Sequence, residues 1–376
     1  MLLHRTRDSG SPVGAHNRMD VKMRVRVGFV SASIVCLLCG CAPTATDVAS
    51  AVPSAPTVEV AAAGETVSVA TLNADAADDP AIWGEADASR FDFDGKQVDG
   101  IILGTDKTAG LYVFGLGGEQ LQFLPEGLLN NVDLRGEGDG FVAGASDRGR
   151  MGVALYRFDG AGTVRPAGFI KSDVVEPYGF CMGRVGGELL AVLVGKDGQV
   201  REHALNALGA EIVGIERRRY EVGSQSEGCT VDDASGTLYI GEELKGVWRY
   251  PLDAAPGTRT LLAGVGDGRL FADVEGTTLI RDAGETFLIV SSQGDSAFAL
   301  WNVSGAAGSE RYLGRFRLAA AGSVDEVSGT DGVDAWSGAI GRFGRGLVVT
   351  QDDVNEGGAQ NFKLVGWSEV RAALER

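Results

Sequence analysis

The sequence predicts an all-β fold, a six-bladed β-propeller closed by an N-terminal strand in its last blade. Three observations predict it. Six apolar strands open with a short motif in which a liganding side chain is usually followed by glycine, at Asp79, Asn131, Tyr178, Glu227, Glu275 and Asp331. Their spacings of 52, 47, 49, 48 and 56 residues match the length of one four-stranded blade. A polar turn then recurs after the second strand of each repeat, at Thr105-Asp106-Lys107, Ser146-Asp147-Arg148, Lys196-Asp197-Gly198, Glu242-Glu243, Gln293-Gly294-Asp295 and Gln351-Asp352-Asp353. Between these signals lie β-branched and apolar runs bounded by Gly and Asp, such as 189–194, 237–240 and 287–290, which read as strands. The 56 glycines, with only 10 prolines, fit short strands and tight turns rather than disorder.

The elements follow in order. Residues 1–40 read as a lipoprotein signal peptide. Lys22, Arg24 and Arg26 precede an apolar run over 27–38, which is short for a membrane span, and Leu38-Cys39-Gly40-Cys41 forms a cleavage box. Cys41 is then the lipidated residue, and Met19 or Met23 an alternative start. Residues 41–63 are an Ala/Pro/Thr tether whose composition buries no core. Residues 64–376 form the propeller. Its closing strand is expected at 66–71, beside 346–350 in the last blade, where it removes an exposed edge. A short helical segment over 368–376 ends the chain. The protein is expected outside the cytoplasm, held to a membrane by lipid, and monomeric.

Cleavage before Cys41 removes six of 34 Lys/Arg and two of 51 Asp/Glu, leaving 28 against 49 and a net charge of −21. Such a surface repels nucleic acid and anionic membrane. The one remaining histidine, His203, removes histidine phosphatase chemistry, His-based zinc sites and Ser-His-Asp triads. Cys181 and Cys229 lie on inner strands of neighbouring blades in an oxidising compartment. Setting Tyr178-Gly179 level with Glu227-Gly228 puts them one residue out of step. Strand alternation then points them to opposite faces, which favours two buried free thiols and leaves a bridge as the alternative.

Oxygen ligands and cations remain. The inner strand of a blade starts at one face of the disc, and the second strand returns to it. Both series of motifs therefore converge on one mouth of the central channel. Blades one to three bring Lys107, Arg148 and Lys196; blades four and five bring Glu227, Glu242, Glu243, Asp273 and Glu275, and blade six brings Asp331. Any one of these alone would be a turn or a solvated side chain. Their shared position in every blade, with charge sorted by half, points to a metal and anion site. Many converging protein oxygens favour calcium over magnesium. Three readings stay open on these residues: a phosphate-ester hydrolase, a calcium-dependent propeller lactonase or esterase, and a non-catalytic binding propeller. A lactonase has no use for three cations at the mouth.

At these residues the chain resembles the β-propeller, or alkaline, phytases. The likeness runs from Asp78-Asp79-Pro80-Ala81-Ile82-Trp83 to Gln360-Asn361-Phe362-Lys363-Leu364-Val365. Between them stand Asn130-Asn131-Val132-Asp133, Tyr178-Gly179, Glu227-Gly228, Glu242-Glu243, Asp273-Val274-Glu275-Gly276, Ser291-Ser292-Gln293-Gly294 and Thr330-Asp331-Gly332. The resemblance implies a phosphoric monoester hydrolase of the 3-phytase type. It would release phosphate and lower inositol phosphates from phytate through a calcium-activated water, using several calcium ions. It implies Glu227, Asp273 and Glu275 as catalytic residues, and phosphate binding by Lys107, Arg148, Lys196 and Gln293. It implies calcium ligation by Tyr178, Glu227, Glu242 or Glu243, Asp273, Glu275 and Asp331, and a structural calcium deeper in the fold at Asp79. The chain departs from the family at Asp353, where glycine is usual, at Gly329, where an acidic residue is expected, and at Asp295 and Phe298, where Asn and Tyr are common.

Overall fold

The computed structural model describes residues 54–72, 75–355 and 358–376. The signal peptide and Cys41 lie outside them. Among the described residues the strands form six four-stranded antiparallel blades around a channel. The inner strands, in order, are Ala77–Trp83, Leu129–Glu137, Pro177–Val185, Ser226–Asp232, Val274–Asp282 and Val333–Ser337. Each blade then steps outward through its second, third and fourth strands. Alternating apolar residues fill the space between blades. Val142 and Leu155 of blade 2, for example, pack on Phe180, Met182 and Leu193 of blade 3. Burying each such side chain contributes about 1.5–3 kcal/mol.

The repeated motif is a repeated β-bulge. In blades 1 to 5 the inner strand carries one more residue than its partner at the motif: between Ala77 and Pro80, Leu129 and Val132, Pro177 and Gly179, Ser226 and Cys229, and Val274 and Thr277. A bulge leaves the extra residue outside the ladder and re-aims its side chain. That turns Tyr178, Glu227 and Glu275 towards the channel mouth. The following glycines serve close approach. A Cβ at Gly179 would lie 1.9 Å from the Glu227 carbonyl oxygen, and one at Gly228 2.2 Å from that of Glu275. No side chain fits at those distances, so glycine is required where inner strands touch.

The ring closes through the N-terminal segment, but not where the sequence places it. The added strand of blade 6 is Gly64–Glu65, and its neighbour is Asn361–Gly366 rather than 346–350. Thr66 and Val69 extend the contact by donating to the Phe362 and Gln360 carbonyls at 2.9 and 3.0 Å. The cause is Lys363, whose fully buried ammonium is held by Glu65 at 2.6 Å, Asn355 at 2.9 Å, Asp352 at 3.3 Å and Asp325. A buried cation so enclosed fixes the strand that carries Glu65.

The tether boundary also moves. Thr57–Ala61, assigned from composition to the 41–63 tether, is a strand lying parallel to Arg311–Ala319 on the outer edge of blade 5. Val60 is buried there beside Phe316 and Leu318. The closing helix, Trp367–Leu374, buries Trp367 and Val370, with Trp367 5.2 Å from the Phe287 ring.

The cysteines form a disulfide, Cys181–Cys229, with Cα atoms 5.6 Å apart, which corrects the expectation of free thiols. Neighbouring inner strands are staggered by one residue. Gly179 meets Glu227, and Gly183 meets Val231, so the offset across this seam is 48 and not 49. That stagger brings the two cysteines to one level. Face alternation within a single sheet does not govern a contact between two sheets.

Candidate active site

A cavity of about 500 Å³ opens at the mouth, lined among others by Lys107, Tyr178, Glu227, Glu243, Asp273, Glu275, Gln293 and Asp331. Eight of the sequence-derived residues therefore meet in one place. Glu227, Glu243 and Glu275 form its centre. They are 3, 5 and 4% exposed, and each offers a carboxylate oxygen within 4.8 Å of the other two. At that distance and an effective dielectric of about 20, each pair of charges repels by roughly 3.5 kcal/mol. Burial, their mutual charge and nearby acids hold all three carboxyls above the usual range. Glu243 is pushed up to about 7, by desolvation first and then Asp273 and Asp331, against the Gln225 hydrogen bond and Lys196. Burial and then Asp78 raise Glu227, while Lys107 opposes them; burial and then Glu227 raise Glu275. Protons or a cation must neutralise such a group.

The surrounding donors are few. Asn130 donates to Glu227 Oε1 at 2.6 Å, and the Tyr178 hydroxyl sits against Glu227, which with burial raises its own pKa. Glu243 Oε1, Glu275 Oε2 and Asp78 Oδ2 are buried without a hydrogen-bond partner. A set of oxygen-only ligands with buried, donorless atoms fits a hard cation such as calcium. Tyr178, Glu227, Glu243, Asp273, Glu275 and Asp331 are the residues that could hold it.

The cations are not equivalent. Lys107 is buried among acids, 2.5 Å from Asp75, 3.0 Å from Asp78 and 2.9 Å from Asp331. Lys196 stands at the rim with its side chain 43% exposed, over the Tyr178 ring at 4.9 Å. Arg148 lies further round, its guanidinium donating to the Lys107 carbonyl at 3.0 Å. Glu176 stands between the two, 3.9 Å from Arg148 and 4.0 Å from Lys196. Gln293 donates its side-chain amide to Asp331.

A sequence profile of the family described as Phytase matches residues 27–376. The chain belongs to the phytase family. It is 32% identical over 322 residues to the "3-phytase" of Bacillus subtilis (strain 168), a match covering 80% of this chain and 81% of that protein. Among solved structures, a GH43_1 enzyme from Xanthomonas citri aligns at 15% identity and a TM-score of 0.40, over 62% of this chain and 86% of its own. The same enzyme complexed with xylose gives the same score over 84% of its chain.

One residue of this phytase, Glu242, stands apart from the mouth. Glu242 does not join Glu243. It faces into blade 4, accepting from Ser224 at 2.5 Å and from the Trp248 indole at 2.6 Å, because successive residues of a strand end point apart. Asp79 lies one level below the mouth, where its Oδ2 accepts from the Val132 N–H at 3.0 Å. Burial first, and then Asp78, raise its carboxyl well above the usual range.

The sequence reasoning missed Asp75, Asp78, Asn130, Glu176 and Gln225. Asp78 adjoins Asp79 in the blade 1 motif, where strict strand alternation would let only one of the pair face the channel. The bulge there lets both do so at different levels. The departures at Gly329 and Asp353 prove to be linked. A Cβ at Gly329 would lie 3.0 Å from the Asp353 Cβ and 3.1 Å from its Oδ2. The Asp353 carboxylate thus fills the space that a side chain at 329 would take. Asp295 is likewise accounted for by its ion pair with the buried Arg315.

Proposed function

We propose that the chain hydrolyses phytate, and related inositol phosphates, in a calcium-dependent reaction at the channel mouth. Membership of the phytase family and the match to a 3-phytase support phytate hydrolysis. The observation that carries the calcium reading is the Glu227–Glu243–Glu275 group, three buried carboxylates within 4.8 Å and short of donors. When bound there, calcium would supply positive charge to polarise an attacking water and the phosphoryl oxygens. The protein's own part is preorganisation. Glu227 is fixed by Asn130 and Tyr178, and Glu243 by its backbone N–H on the Gln225 carbonyl at 3.1 Å. Lys107, Lys196 and Arg148 ring the acidic group and take phosphate oxygens by charge-assisted hydrogen bonds, with Gln293 between them. Lys107 can turn to a phosphate only as its three carboxylates find another cation, which couples the two ligands. A lipid anchor at Cys41 would hold this enzyme outside the cytoplasm.

The deciding assay measures phosphate release from phytate by the purified protein, with calcium and after exhaustive chelation, and ester cleavage of a lactone in parallel. Release with calcium, lost on chelation and restored by re-addition, supports the proposal. Undiminished release in chelator, or turnover of the lactone alone, removes it.

A further inference from the structure

The disulfide joins the two strands that carry facing members of the proposed cation site. Tyr178 stands three residues before Cys181, and Glu227 two before Cys229, with the Tyr178 hydroxyl against the Glu227 carboxylate. Both residues lie in the bulges that precede the cysteines. There the ladder is interrupted, and both residues are also held from blade 2, Tyr178 by the Ser146 hydroxyl on its carbonyl at 2.5 Å and Glu227 by Asn130 at 2.6 Å.

Neighbouring inner strands share no ladder, since each sheet ends at its inner strand. The seams between blades are therefore crossed by side-chain packing and separate hydrogen bonds rather than by a continuous ladder. Blade 1 is tied to blade 2 by Val132 N–H on Asp79 at 3.0 Å, and blade 2 to blade 3 by Met182 N–H on Asp133 at 2.7 Å. Blade 4 is tied to blade 5 by Val274 N–H on the Glu243 carbonyl at 3.0 Å, and blade 5 to blade 6 by Thr278 on Asp334 at 2.9 Å. Blade 6 is tied to blade 1 by Ile82 N–H on Asp334 at 2.8 Å. Between blades 3 and 4 the link at this level is covalent.

We propose that Cys181 and Cys229 are positioning residues of the cation site. Their bridge holds the bulged Tyr178 and Glu227 at the separation that a divalent cation needs, so opening it weakens cation binding at the mouth before it unfolds the blades. A binding constellation must be held to about half an ångström, and at this seam a bulged ligand on each side adjoins the covalent link. The proposal rests on the calcium reading above.

The test uses the full chain in three forms: oxidised, reduced, and as the Cys181→Ala/Cys229→Ala variant. An added dithiol supplies two electrons and two protons, giving two thiols and its own cyclic disulfide. Cys229 lines the channel from the opposite end, which gives the reagent a route. Calcium titration calorimetry, the calcium dependence of phosphate release and metal-free melting are read on each form, well below the melting temperature. Calcium affinity is expected to fall about tenfold or more in both opened forms. Turnover at saturating calcium should return to within about threefold of the oxidised protein. Unchanged calcium affinity, or a loss that tracks the unfolded fraction and does not recover at high calcium, overturns the proposal and leaves a purely structural bridge. Should the oxidised protein itself bind no calcium, the calcium reading fails instead.

Discussion

At the mouth of the channel Glu243 Oε1 and Glu275 Oε2 are buried and meet no donor. At the opposite end Asp133 and Asp334 are also enclosed, yet every oxygen is met. Asp133 accepts from Met182 N–H at 2.7 Å, Leu134 N–H at 2.6 Å, and Arg135 at 2.9 and 3.0 Å. Asp334 accepts from Ile82 N–H at 2.8 Å and Thr278 at 2.9 Å. Burial is the largest cause raising the carboxyl pKa at both ends. The difference lies in the donors. Carboxylates supplied with N–H and O–H groups bind blade to blade. Carboxylates packed against one another without them are stable only when a proton or a cation joins them.

This comparison is broken most sharply by one substitution at each end. Glu275→Ala should cut phytate turnover at least about a hundredfold, some 2.7 kcal/mol of transition-state stabilisation. It should leave metal-free stability unchanged or higher, because a crowded charge is gone. Asp334→Ala strands two donors and should cost about 2–3 kcal/mol of stability while calcium affinity persists. Denaturant melts and calcium titrations on both variants check this. Equal loss of stability in the two would erase the distinction.

A smaller effect appears in the pH dependence. Glu243 titrates near 7 in the fold against about 4.5 unfolded, and Asp334 near 6 against about 3.8. Between each pair of values the native state holds a proton that the unfolded state has lost. Metal-free stability is therefore highest below about pH 4 for these groups. It falls as pH rises through 6 and 7, by roughly 3 kcal/mol for each group. Calcium binds the ionised carboxylates at the mouth and should restore only their share. The gap between melting curves in calcium and in chelator should widen from pH 5 to pH 8. Asp334→Asn should flatten the lower window under both conditions. A gap that narrows with rising pH would contradict the assignment. Activity should follow the same course, highest from neutral to mildly alkaline pH.

The smallest expected change is at the rim. Lys196→Ala removes a half-exposed ammonium and should lower kcat/KM for phytate about tenfold, with calcium affinity unchanged. Parent-like kinetics would return Lys196 to the status of a surface turn lysine.

The blade period and most of the mouth were readable in the sequence, because the bulge that aims each ligand needs a glycine beside it. Tyr178-Gly179, Glu227-Gly228 and Glu275-Gly276 announce both facts at once. The stagger between neighbouring blades was not readable. It is set by packing of separate sheets, and the cysteines were misplaced by that single residue. Glu242 and Glu243 could not be told apart, since the partners that claim Glu242, Ser224 and Trp248, sit on other strands. The closing strand was misplaced because its anchor is an ion cluster. Glu65, Asp325 and Lys363 look like surface residues until Lys363 is found fully buried.

The central claim is that donorless oxygens at the mouth form the calcium site, whereas hydrogen-bonded carboxylates at the other end hold the ring. Anomalous diffraction from calcium-grown crystals tests it most directly. The account predicts an anomalous peak enclosed by Glu227, Glu243 and Glu275, and none on Asp133 or Asp334. A mouth without density at saturating calcium, or peaks confined to Asp133 and Asp334, would contradict it.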